Sequence, residues 1–150
     1  RHQSYDGPLL TQAGKPIGTP HYMPPEQVLG ELELINETSD VYSLGVILYE
    51  ILTRKVPFFG MTNARIYQTI LTQDPQPPHK LRSGVPRDLE TICLKAMEKQ
   101  PARRYDSAGA LADDLQRFLD GGTPERARLL LPKSELPRLA GHAARVLASA

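Results

Sequence analysis

Residues 38–54 read TSDVYSLGVILYEILTR, and this stretch decides the fold class. Val41, Leu44, Leu48, Ile51 and Leu52 recur at the spacing of one helical face. Tyr42, Val46, Ile47 and Tyr49 make the remaining side apolar as well. A helix apolar nearly all round belongs in the middle of a domain rather than on its surface. Thr38, Ser39 and Asp40 offer side-chain oxygens for its N-cap. The segment spans about 25 Å at the helical rise per residue, and KVPFFG (55–60) ends it.

Three shorter helices are expected downstream. TNARIYQTILTQ (62–73) carries Ile66, Tyr67, Ile70 and Leu71. PRDLETICLKAMEK (86–99) places Pro86 near its first turn and Leu89, Ile92, Cys93, Ala96 and Met97 on one stripe. SAGALADDLQRFLD (107–120) has Ser107 as its cap, with Ala108, Leu111, Leu115 and Phe118 on one face, and Gly121 and Gly122 to stop it. Strand signals are poor, so the fold class is mainly α: a bundle around one buried central helix. From Thr123 the chain turns to Ala, Arg and Leu broken by Pro124, Pro132 and Pro137, a tail with at most one weak helix at 137–149.

Upstream, residues 1–27 lack periodicity and are rich in Gly and Pro, which reads as a long loop of the kind that is either functional or disordered. It ends in GTPHYMPPEQ (18–27), with three prolines and one acid. Glu26 follows two prolines and leads into the core helix, so it is expected to be buried and to need a partner.

The 150 residues suffice for one ordinary domain. With 18 Lys and Arg against 17 Asp and Glu, the net charge of +1 offers no electrostatic case for nucleic acid. A single cysteine, Cys93, excludes an internal disulfide framework and agrees with a reducing compartment; on an apolar stripe it reads as core. The apolar run ARLLLP (127–132) is far too short to span a bilayer. The opening RHQSYDG (1–7) is expected to be an internal piece of a longer chain. No Cys or His cluster has metal-ligand spacing. GPLLTQAGKP (7–16) is not a phosphate-binding loop, because six residues separate its glycines and Pro16 stands where Ser or Thr would bind Mg²⁺.

Taken in order, GTPHYMPPEQ (18–27), SDVYSLG (39–45) and PARRY (101–105) resemble the protein kinase family, over roughly residues 1–120. The Gly-Thr-x-x-Tyr form is similar to the serine/threonine branch, and YMPPEQ with SDVYSLGVILYE looks most like bacterial members. The resemblance implies the helical subdomain of the kinase C-terminal lobe: a partial kinase domain at 1–122, with the activation loop at 1–27, helices F to I at 38–120, and a tail at 123–150.

It also implies roles. Gly18, Thr19, Tyr22 and Met23 would bind substrate, with the Thr19 hydroxyl against the catalytic aspartate and Tyr22 and Met23 flooring the pocket for the residue after the acceptor. Read from the residues alone, Thr19 is a turn threonine beside a flexible glycine. Arg104 would pair with Glu26, an Arg fork matching a carboxylate. Asp40, an N-cap on local reading, would also hold the backbone of the catalytic loop. Thr11 is a candidate phosphorylation site, with Ser4 and Tyr5 as rivals. Pro24 stands in place of the family's usual Ala, Gln100 of a common Asp, and Val56 of a common Pro.

Phosphoryl transfer needs a Gly-rich loop, a Lys–Glu pair, a catalytic-loop Asp with its Asn, and a Mg²⁺-binding Asp-Phe-Gly. None is in these residues. The expectation is therefore a fragment of a cytoplasmic serine/threonine kinase, inactive alone. Its parent would use ATP and Mg²⁺ to phosphorylate protein hydroxyls, with the N-terminal part of the kinase domain as partner. No nucleic acid or membrane segment is implied. The alternative is a non-catalytic, pseudokinase-like scaffold.

Overall fold

The computed structural model describes residues 20–122. Six helices run in order: α1 (Pro25–Leu29), α2 (Glu37–Thr53), α3 (Asn63–Thr72), α4 (Pro78–Leu81), α5 (Arg87–Ala96) and α6 (Ala108–Leu119). Short 3-10 turns sit at Pro20–Tyr22, Leu32–Leu34 and Pro101–Arg103. The described residues contain no strand, and the mainly α class expected from the sequence is the one observed.

The start of α2 differs from the expected cap. Asn36 is the N-cap: its Oδ1 accepts the Thr38 amide at 2.8 Å, while Ser39 Oγ accepts the Asn36 amide at 3.2 Å. This reciprocal arrangement satisfies donors at a helix start from both sides. Asp40 therefore lies one turn inside the helix, exposed, and caps nothing. The asparagine wins because the helix begins at Glu37, earlier than the apolar pattern shows.

Two apolar clusters meet along α2. Tyr42, Val46 and Tyr49 pack with Phe58, Ile66, Ile70, Cys93 and Met97. Val41 packs with Ile92, Ala96, Tyr105 and Leu111. Burying each large side chain contributes about 1.5–3 kcal/mol. α2 and α5 approach so closely at Gly45 that a Cβ there would stand 2.8 Å from both Ala96 Cβ and Met97 Cγ. The Cys93 thiol donates to the Gly45 carbonyl at 3.4 Å, and burial pushes its pKa up to about 12, with the Glu90 charge adding to it. Cys93 is core.

The central helix is not enclosed on every side. Leu44, Ile47 and Ile51 are 40%, 45% and 67% exposed, one stripe of α2 that nothing among the described residues covers. Tertiary packing uses the opposite side, where Gly45 admits α5.

Two further departures follow from proline. Residues 20–27 are not all loop: Pro20–Tyr22 forms a 3-10 turn and Pro25 is the first residue of α1, because proline's fixed φ suits a helix start. The four residues of α4 have too few turns to show periodicity. The helices at 63–72, 87–96 and 108–119 lie within the predicted segments, capped by Thr62 and Ser107 in α3 and α6.

Candidate functional site: an anchored loop

The loop enters through Pro20–Tyr22 and is pinned at four points. The His21 Nδ1–H donates to the Phe58 carbonyl at 2.9 Å. The Ser43 hydroxyl donates to the Tyr22 carbonyl at 2.9 Å. The Tyr22 hydroxyl donates to Glu50 Oε2 at 2.6 Å. That bond raises the Tyr22 pKa, with burial and the Glu50 charge adding to it. Met23 is buried beside it.

The fourth point is Glu26, in the first turn of α1 and 2% exposed. Arg104 Nη1 donates to Glu26 Oε1 at 2.7 Å and Nη2 to Oε2 at 2.8 Å. The same guanidinium donates to the carbonyls of Glu98 (2.7 Å), Thr38 (2.9 Å) and Lys99 (3.1 Å). Every guanidinium donor is thus used. The Ser39 hydroxyl donates to Glu26 Oε1 at 2.7 Å, so one carboxylate ties α1, α2 and the turn after α5. Burial is the largest single influence on Glu26 and pushes its pKa up. The hydrogen bonds from Arg104 and Ser39 outweigh it, and the carboxyl is held below its usual range. The Tyr42 ring lies 4.9 Å beneath the Arg104 guanidinium.

A second network joins the later helices. Glu90 Oε2 accepts from the His79 amide and ring at 2.7 Å each, and Oε1 from Arg87 at 3.0 Å. The Tyr105 hydroxyl donates to the buried Asp114 at 2.9 Å.

The geometry brings Tyr22, Met23, Glu26 and Arg104 to one place. Asp40 stands apart at the exposed start of α2. Thr11, Gly18, Thr19 and the tail from 123 lie outside the described residues. Sequence reasoning missed the anchors His21, Ser39, Ser43 and Glu50. Glu50 had a signal, being the one acid in the last three turns of an apolar helix. No helix among the described residues is long and apolar enough to cross a membrane.

Comparison with known proteins agrees with this architecture. The protein kinase domain model matches residues 7–115. The chain is 39% identical over 125 residues to the serine/threonine-protein kinase PknB of Mycobacterium leprae, covering 83% of this chain and 20% of that protein. It is 36% identical over 118 residues to a probable serine/threonine-protein kinase PknB of Bifidobacterium longum, covering 79% and 17%. It is 37% identical over 145 residues to the serine/threonine-protein kinase pkn3 of Myxococcus xanthus, covering 95% and 25%. The chain thus spans about a fifth of the length of the first relatives it matches. With its helical lobe, anchored loop and these likenesses, the chain belongs to the protein kinase domain family, as a fragment of the bacterial serine/threonine type.

Proposed function

We propose that this chain is the activation loop and substrate-docking platform of a serine/threonine kinase whose complete form transfers the γ-phosphate of ATP to protein Ser or Thr hydroxyls. The observation that carries the reading is the fully hydrogen-bonded Glu26–Arg104 pair, which bolts the segment bearing Tyr22 and Met23 to the helical core. A platform held this way presents an extended substrate without spending binding energy on ordering itself. Gly18 and Thr19, immediately upstream, are assigned to the acceptor end, and Tyr22 and Met23 to the residue after it. Thr11 is assigned as the phosphorylated residue of the loop; its phosphate would add nearly two negative charges.

The rest of the kinase domain is the partner of the open α2 stripe. Asp40, Leu44, Ile47 and Ile51 follow one another at helical spacing on one exposed side. That stripe offers a carboxylate for backbone N–H groups of the catalytic loop, followed by apolar area for the segment carrying it. Among the described residues no three His, Cys, Asp or Glu side chains converge to hold a metal ion. Nucleotide and Mg²⁺ are assigned to the upstream part of the parent protein, because the Gly-rich loop, the catalytic-loop Asp with its Asn and the Asp-Phe-Gly motif are not among these 150 residues.

The test is a phosphotransfer assay on the full-length protein beside this chain alone. The full-length protein is expected to label Ser and Thr and the chain alone to label nothing. Turnover by the chain alone contradicts the assignment. A full-length protein that binds its partners without phosphotransfer supports the scaffold reading instead.

A further inference from the structure

The segment that joins α1 to α2, LGELELINE (29–37), forms a shelf fixed by its own backbone. Gly30 turns the chain at φ 72, and the Glu31 amide donates to the Glu26 carbonyl at 2.9 Å. The amides of Leu34 and Ile35 donate to the carbonyls of Glu31 and Leu32 at 3.0 and 3.2 Å. Yet Leu29, Leu32, Leu34 and Ile35 are all exposed. Glu33 and Glu37 stand exposed among them, and Glu31 is half-buried. Among the described residues these three carboxylates enter no ion pair. Residues 23–53 hold six acids and no Lys or Arg, so no neighbour in sequence neutralises them. An apolar strip carrying unpaired charge of one sign suits a partner that is apolar and of opposite sign.

The chain itself carries that chemistry. Residues 123–150 contain five Lys or Arg against two acids. Within them RARLLLPK (126–133) sets three leucines between Arg126, Arg128 and Lys133, with no acid. Residues 1–19 offer only Arg1 and Lys15. The reach also suffices. Leu111, in the first turn of α6, packs with Val41 near the start of α2, so the chain leaves α6 within about 30 Å of the shelf. The eleven residues from Gly122 to Lys133 span at most about 36 Å.

We propose that residues 126–133 dock on the 29–37 shelf of their own molecule, leucines on leucines and the three cations against Glu31, Glu33 and Glu37. The shelf hangs from the Glu26 carbonyl, so the docked segment bears on the same turn of α1 that Arg104 anchors. The inference holds whether or not the parent protein transfers phosphate.

The test places the photo-crosslinker benzoyl-phenylalanine at position 32 of the intact protein carrying this chain, with a second sample carrying it at the exposed position 80. Crosslinks are mapped by mass spectrometry on a mixture of light and heavy isotope-labelled protein, which separates links within one molecule from links between copies. Position 32 is expected to link to residues 126–133 of the same molecule and position 80 not to. The yield should fall as ionic strength rises from about 0.05 to 0.5 M. Glu33→Lys/Glu37→Lys is expected to cut it about fivefold, and adding Arg126→Glu/Arg128→Glu to restore it. Links from position 32 to a second copy, to residues 1–19 or to the upstream part of the kinase domain overturn the proposal, as does a yield no higher than from position 80. Loss in the first charge variant without recovery in the combined one overturns it as well.

Discussion

Arg104 and Glu26 stand 78 positions apart in sequence and meet through two parallel hydrogen bonds of 2.7 and 2.8 Å, their side chains 0% and 2% exposed. Neither charge has water to fall back on, so each depends on the other. Removing one side leaves a buried charge uncompensated, at about 3–5 kcal/mol. Arg104→Ala and Glu26→Gln are each expected to lower the unfolding free energy from urea denaturation by that amount. The double variant Glu26→Gln/Arg104→Met should lose less than the two singles together, which a double-mutant cycle measures.

Acid should loosen the same joint. Glu26 and Glu90 are both held below the ordinary glutamate value of 4.5, because their hydrogen bonds outweigh the upward push of burial. A carboxylate with a depressed folded-state pKa stabilises the fold above the unfolded value, and that stability is lost as pH falls through the folded value. Urea denaturation from pH 7 to pH 3 is expected to show stability declining from about pH 5 downward. Glu26→Gln should make that decline shallower.

Gly45 is where α2 and α5 touch. A methyl group there meets Ala96 and Met97 at 2.8 Å, and the backbone of one helix must move. Gly45→Ala is expected to cost about 1–3 kcal/mol despite alanine's better helix propensity. Thermal or urea denaturation checks it, and a gain in stability would contradict the close approach.

Arg54 closes α2 in the left-handed region, with φ 60 and its amide on the Glu50 carbonyl at 2.7 Å. A side chain in that conformation costs about 1–2 kcal/mol that glycine does not incur. Arg54→Gly should therefore raise the unfolding free energy, read from urea denaturation, by about 1 kcal/mol after glycine's added unfolded-state freedom.

The open stripe of α2 distinguishes fragment from whole. Ile47→Glu in this chain alone is expected to reduce self-association, since it breaks an exposed apolar patch. In the full-length kinase the same substitution should destabilise the domain, because the rest of the lobe would have to bury a charge there. Light scattering on the first and a melting curve on the second test the pair.

The sequence by itself determined the helical class, the long apolar α2, the stripes of α3, α5 and α6, the burial of Cys93, and the family. The helices and the cysteine are properties of spacing within single segments, and the family is a property of the order of three short motifs. It also singled out Glu26 as an acid that a proline-stiffened loop would carry into the core. Only the tertiary structure decided how the loop is held. Ser39, Ser43, His21 and Glu50 act on backbone or side-chain atoms up to 37 positions away, and no local pattern encodes such pairings. The cap at Asn36 escaped the pattern because Glu37 to Asp40 are polar and begin the helix before its apolar rhythm does. Which face of an all-round apolar helix stays open was likewise illegible. Hydrophobicity was nearly equal on both sides, and the choice fell to Gly45, whose missing side chain lets α5 pack close on one of them.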